Sequence, residues 1–151
     1  MTMALGADLV AELARGIAAR YARTLRAIDR LDALDGRSGP LASEELRDDP
    51  GAADGLAREL VARLLRVAAD ARLAPLLGAL VADGEQSLAA IAVGQRASRL
   101  AVLRRADDLV DAGLADRDPE RDTLAATPLG IALAAFLDQI QSATAASLAA
   151  L

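Results

Sequence analysis

Several residue types are missing from this chain, and each absence removes a class of chemistry. Its 151 residues contain no cysteine, so there is no disulfide, no thiolate nucleophile and no cysteine metal ligand. Histidine is missing as well, which removes the commonest general base and the commonest transition-metal ligand. Only carboxylates remain to bind a metal, and they are poor ligands for zinc or nickel sensing. We therefore expect neither a metal site nor a cofactor.

Motifs of catalysis and of phosphate binding are absent too. No serine lies in a GxSxG setting, and neither GxGxxG nor GxxxxGK[ST] occurs. The neighbouring carboxylates Asp48 and Asp49, or Asp107 and Asp108, do not converge on a helix or a strand, because adjacent side chains point in different directions. We expect that the protein is not an enzyme.

The chain also lacks the marks of membrane insertion and export. No uninterrupted apolar run approaches the ~18 residues that a membrane helix needs. The first residues, MTMALGADLV, have no basic region before Asp8 and Glu12, unlike a signal peptide. We expect a cytoplasmic, soluble protein with no membrane contact.

Lysine and asparagine are absent, and acids outnumber bases. All 17 basic residues are arginine, and 22 acidic residues leave a formal net charge of -5. Such arginine, alanine and glycine usage is typical of a GC-rich bacterial genome. Because the whole molecule does not attract phosphate, nucleic-acid binding would depend on a local arginine patch.

Apolar periodicity predicts a long N-terminal helical arm over residues 1–34. Spacings of four and three place one apolar face on Leu9, Leu13, Ile17, Tyr21, Leu25, Ile28 and Leu31. The other sides carry arginines, as a solvated face or as a contact to a partner or a DNA backbone: Arg15, Arg20, Arg23, Arg26 and Arg30. Residues 35–55, rich in Gly, Pro and Asp, predict a linker with at most one helical turn near residues 43–47.

Residues 56–127 carry a dense pattern of helix caps and predict one compact domain. The first helix turns Leu56, Leu60, Leu64 and Val67 inward, and a second begins near Arg72 after Asp70 as N-cap and ends at Gly84. A short helix follows from Ser87, and the next is capped by Ser98 and ended by Gly113.

A hairpin and a final helix complete the predicted order. Two short strands, at 114–115 and 123–125, flank the turn sequence DPERD. Thr127 and Pro128 begin a C-terminal helix over 128–151. Its predicted inner face consists of Ile131, Leu133, Phe136, Leu137, Ile140 and Leu148.

Residues 56–137 resemble the winged helix-turn-helix regulators of the ArsR and MarR type. The similar segments are LLRVAADARLAPLLGALV, SLAAIA, SRLAVLRRADDLVDAGL and the TPLG that begins the last helix. The resemblance implies a mainly α fold, a winged helix-turn-helix with a short β-wing between long N-terminal and C-terminal helices. It also implies a DNA-binding transcriptional regulator, although the Cys and His ligands of metal-sensing members are absent here.

The resemblance makes SRLAVLRRADDLVDAGL the recognition helix and implies which residues would touch DNA. Around its start lie Arg96, Ser98, Arg99, Arg104 and Arg105, and the wing adds Arg117 and Arg121. Arg104 is also spaced to pair with Asp107 or Asp108. Between residues 95 and 122 these six arginines face seven acids. That balance favours an alternative, a winged-helix protein-interaction module that has lost DNA binding.

Two further features leave alternatives open. Leu100 and Leu103 map to outward positions, where they would form a protein-docking face, unless the helix register is shifted and both lie in the core. The two terminal helices are too long for one small domain to cover, which favours a homodimer over a monomer with the arm folded back. A cleft between arm and domain would suit an apolar effector.

Overall fold

The computed structural model describes residues 2–34 and 50–150, and this part of the chain is mainly helical with one small antiparallel sheet. The helices are α1 (Thr2–Leu34), α2 (Pro50–Ala68), α3 (Ala74–Asp83), α4 (Leu88–Gly94), α5 (Arg99–Ala112) and α6 (Pro128–Ala149). The strands are β1 (Gln86–Ser87), β2 (Ala115–Asp118) and β3 (Thr123–Ala126). The mainly helical prediction is confirmed.

Strand β3 lies at the centre of the sheet. It pairs antiparallel with β2, where Ala115 is opposite Ala126, and with β1, where Gln86 is opposite Leu124. The predicted hairpin and its turn are present, but the sequence did not predict β1, because two residues are too few to show strand alternation. Strand β1 thereby connects the start of α4 to the hairpin.

The core consists of small aliphatic side chains contributed by every helix. Its largest fully buried side chains come from α3, α4, α5, the residue before β2 and strand β3: Leu76, Leu80, Leu88, Val102, Leu109, Leu114 and Leu124. Helix α1 adds Leu13 and packs along α6, where a Cβ on Gly16 would lie 3.0 Å from Leu129 Cδ1. The arm therefore lies against the domain of its own chain. Leu25 is buried as predicted, whereas the side chains of Ile28 and Leu31 lie outside the described residues.

Two predicted boundaries are corrected. Helix α2 begins at Pro50, so residues 50–55 are helical and not linker. Proline is favoured in the first helical turn, where its missing amide needs no partner, and this outweighs the glycines that follow. The rest of the predicted linker lies outside the described residues, together with the helical turn at 43–47 and the Asp48 and Asp49 pair.

The start of α3 also differs from the prediction. The helix begins at Ala74, and Asp70 shapes the preceding turn instead of capping the helix. Its carboxylate accepts a hydrogen bond from the Arg72 amide at 2.8 Å and another from the Arg72 guanidinium, and the guanidinium bond is the main cause that lowers the pKa of Asp70. Pro75 lies in the first turn of α3. Proline has no amide hydrogen, so it fits the first turn of a helix but not a later position, and the helix therefore begins just before it.

Helix α6 begins as predicted, but only Leu133, Phe136 and Leu137 of its predicted inner face pack against the core. Thr127 Oγ1 accepts a hydrogen bond from the Gly130 amide at 3.0 Å, with Pro128 in the first turn. Leu133 is buried as predicted, but Ile131 and Ile140 are each 48% exposed and Leu148 is 64% exposed. The buried side chains of α6 lie in its first turns: Leu129, Ala132 and Leu133.

By length and composition α6 could cross a membrane, contrary to the sequence expectation. Over its 22 residues the most apolar window has a mean hydropathy of 1.2. The core helix of a globular domain meets the same criterion, and 22% of this window is buried inside the structure, in the first turns of α6.

Candidate nucleic-acid interface

Helices α4 and α5 are joined by a tight turn, and a serine caps the start of each helix. Ser87 Oγ accepts a hydrogen bond from the Ala90 amide at 3.1 Å and begins α4. Ser98 Oγ accepts one from the Ala101 amide at 3.2 Å and begins α5, as predicted. Between them Arg96 adopts φ 49, a left-handed conformation that turns the chain sharply. The first residue of α5 is thereby placed beside the end of α4.

The leading end of α5 faces solvent. Its inner face packs Val102, Ala106 and Leu109 into the core at 0% exposure. The opposite face exposes Ser98, Arg99 and Arg104, with Leu100 60% exposed among them. Leu103, in contrast, is half-buried and packs against the core. The sequence predicts that Leu100 and Leu103 are either both exposed or both in the core. Neither alternative holds for both, because Leu100 is exposed and Leu103 packs against the core.

The hairpin tip bends back over the start of α5. Asp118 Oδ1 accepts hydrogen bonds from the amides of Glu120 and Arg121, which tightens the predicted turn. Asp122 then adopts φ 55, and its carbonyl accepts a hydrogen bond from the Leu88 amide at 3.0 Å. The aspartate before β3 is thus fixed to the start of α4.

Four charged side chains meet where the hairpin touches α5, and we call them the Asp122 cluster: Arg99, Asp107, Arg117 and Asp122. Asp122 Oδ2 lies 2.6 Å from Arg99 Nη2, and its Oδ1 lies 3.3 Å from Arg117 Nη2. Asp107 Oδ1 lies 3.9 Å from Arg117 Nη1. Two of the predicted DNA contacts, Arg99 and Arg117, are therefore already paired with carboxylates.

The remaining predicted contacts fall into three groups. Arg105 is half-buried and donates to Gln95 Oε1 at 3.0 Å, so it supports the turn. Arg121 Nε lies 3.7 Å from Asp118 in an exposed pair on the hairpin. Arg96 and Arg104 are exposed and make no ion pair within residues 2–34 and 50–150. The predicted pairing of Arg104 with Asp107 or Asp108 is wrong, since Asp107 lies beside Arg117 instead.

Sequence reasoning missed the role of Arg20, which it assigned to a solvated face or to a contact with a partner or a DNA backbone. The Arg20 guanidinium reaches the end of α5 and donates to the carbonyls of Val110 and Asp111. Burial is the main cause that lowers the pKa of Arg20, and the nearby charges of Arg23 and Arg63 lower it further. Arg20 lies three residues after Ile17, beside the apolar face of α1, and that position was the available signal.

The contact of Arg20 with α5 requires glycine at position 113. Gly113 has φ 76, and a Cβ there would lie 2.1 Å from Arg20 Nη1. The residue that ends α5 therefore serves two purposes, a left-handed cap and a passage for the guanidinium. Through it the arm is tied to the trailing end of α5.

Beside this contact lies a cleft between α1, α2 and the end of α5. It encloses about 270 Å³ and is lined by Ile17, Tyr21, Leu60, Leu64, Arg20 and Arg63, among others. A second cavity of about 370 Å³ continues along α1 and α2 with an almost wholly apolar lining that includes Leu25 and Leu56. The expected cleft between arm and domain is present.

In the part of the chain that the structure describes, no group of three or more acidic side chains could hold a metal ion. The chain matches no model of a known protein family, no curated protein and no solved structure. Any assignment of function therefore rests on the geometry around α5.

Proposed function

We propose that the protein is a winged helix-turn-helix transcriptional regulator that binds duplex DNA as a homodimer. In this proposal α4 and α5 are the helix-turn-helix, α5 is the recognition helix, and β2 and β3 are the wing. The observation that carries it is the exposed, serine-capped leading end of α5, opposite a fully buried face. A helix supported in this way can enter a major groove end first, as recognition helices do.

The contacts divide by chemistry. Arg96 and Arg104 are exposed and unpaired in the described chain, so they suit phosphate oxygens. Ser98 and Arg99 lie at the first turn, which is the part of a recognition helix that reaches base edges. Because the net charge is -5, binding depends on these few guanidinium groups, and salt should weaken it steeply.

The homodimer is supported by α6. Beyond residue 137 the described part of this helix is exposed, although it carries Ile140 and Leu148. Next to it runs a groove of about 520 Å³ between α3 and α6, lined by Leu77, Val81 and Leu137 among others. A second copy related by a two-fold axis would cover both, and it would present two recognition helices to half-sites ~34 Å apart.

A protein-interaction module is the second candidate, and two observations favour it. Leu100, on the face of α5 that would meet DNA, is 60% exposed, and Val93, at the end of α4, is 80% exposed. Arg99 is also paired with Asp122, which weakens its attraction for phosphate. A partner for this surface would combine an apolar contact with acidic groups near Arg96 and Arg104.

A salt titration of binding to random duplex DNA separates the two functions. We expect the R104A variant to bind more weakly than the wild type and to lower the slope of log K against log salt by about 0.9. R15A is the matched control, because Arg15 is exposed on α1 and, within the described residues, donates only to the Ala11 carbonyl of its own helix. Wild-type protein that shows no binding at about 50 mM salt contradicts the regulator proposal.

A further inference from the structure

The position of Asp122 is determined by the backbone and not by its ion pairs. Asp122 has a left-handed backbone conformation, and its carbonyl accepts a hydrogen bond from the Leu88 amide. The next residue, Thr123, pairs with Ser87 in the sheet. The carboxylate is therefore anchored between α4 and β3, at the edge of the surface that would face DNA. Its two oxygens point to different partners, one to Arg99 and one to Arg117.

We infer that Asp122 is an internal competitor for phosphate that holds Arg99 and Arg117 away from random duplex DNA. The inference rests on the proposed DNA-binding function. A guanidinium that is bonded to a carboxylate at 2.6 Å must lose that bond, or share it, before it donates to a phosphate oxygen. Asp107 adds a second carboxylate to Arg117, so the wing arginine is held from both sides.

If Asp122 holds these arginines, the surface should make few phosphate contacts although it contains many arginines. With Asp122 in place, the predicted contacts that remain available to a non-specific duplex are Arg96, Arg104 and the exposed Arg121, which has only a 3.7 Å pair with Asp118 in the described chain. Removal of the Asp122 charge frees Arg99 and leaves Arg117 with the more distant Asp107 alone, so one or two further guanidinium groups become available. Each additional phosphate contact raises the salt slope by about 0.9, so the number released can be counted directly.

The variant D122N tests this with little disturbance of the backbone. Asparagine has the same shape as aspartate and is among the few residues that tolerate a left-handed conformation. The matched control is D108N, which makes the same change in net charge on exposed α5 at a residue without an ion pair in the described chain. Thermal unfolding of both variants checks that each is folded.

Binding to a random duplex of about 30 base pairs is measured from about 50 to 200 mM salt. We expect D122N to bind about threefold to tenfold more tightly than wild type at the low end, with a slope steeper by about 0.9 to 1.8. D108N should change affinity by less than about twofold and leave the slope unchanged. If D122N does not fold, D107N removes the more distant of the two carboxylates on Arg117, and tighter binding than that of D108N supports the inference, whereas equal binding contradicts it.

Equal gains for D122N and D108N would overturn the inference, because long-range charge would then explain both. Weaker binding by D122N would also overturn it, because Asp122 would then orient Arg99 for DNA and not compete with it. Both results leave the regulator proposal standing. Failure of wild type, D122N and D108N alike to bind DNA overturns the proposed function and the inference together.

Discussion

Replacing Gly130 by alanine should destabilise the protein strongly, whereas the same change at Gly78 should stabilise it. Both glycines are helical, in α6 and α3. A Cβ on Gly130 would lie 2.1 Å from the Leu114 carbonyl oxygen, whereas a Cβ on Gly78 would meet no atom within 4 Å. The difference in environment, and not in helix propensity, should decide the sign.

The magnitude follows from the contacts at the start of α6. A carbon and a carbonyl oxygen approach to ~3.3 Å, so the junction would have to open by roughly 1.2 Å. Such a shift strains the hydrogen bond from the Thr127 amide to Leu114 O at 3.0 Å and the bond from Thr127 Oγ1 to Gly113 O at 2.7 Å. Overpacking costs about 1–3 kcal/mol and each lost hydrogen bond about 1 kcal/mol. After about 1 kcal/mol of gain from helix propensity, G130A should lose about 2–4 kcal/mol.

Urea unfolding followed by far-UV circular dichroism measures both variants. With a slope of about 2 kcal/mol per molar, the midpoint of G130A should fall by about 1–2 M. G78A should gain about 0.5–1 kcal/mol and raise its midpoint by about 0.3–0.5 M. A G130A midpoint within about 0.2 M of wild type would refute the close approach of α6 to Leu114.

Two further predictions concern the contacts of α1 and α6. R20M keeps the apolar stem but removes the bonds to the carbonyls at the end of α5, so we expect a loss of about 1–2 kcal/mol in urea unfolding. R23M is its control and should be neutral or slightly stabilising, since Arg23 repels Arg20; equal losses would contradict the contact. I140E should shift a dimer to the 15.5 kDa monomer in sedimentation, because Ile140 borders the groove on α6, and an unchanged dimer would place the interface elsewhere.

The sequence by itself determined where most elements begin and end. Ser98 and Gly113 bound α5, Gly84 ends α3, and Thr127 with Pro128 begins α6, all as the cap signals predict. These signals succeed because a cap is a contact between residues at most four positions apart. The hairpin turn was predicted for the same reason, because its signal is local. A local pattern also explains the error at Pro50, since a proline followed by two glycines within six residues is typical of a linker, whereas the structure has a helix there.

Tertiary structure alone decided which of the predicted contact residues are available. Arg99 and Asp122 are 23 positions apart and Arg20 and Asp111 are 91 apart, so no local pattern pairs them. Residues 95–122 contain six arginines and seven acids. Only the fold shows that Asp122 forms ion pairs with two of these arginines, whereas Arg96 and Arg104 remain exposed. Charge acts over a few ångströms in space, and the chain brings those groups together only when the hairpin folds over α5.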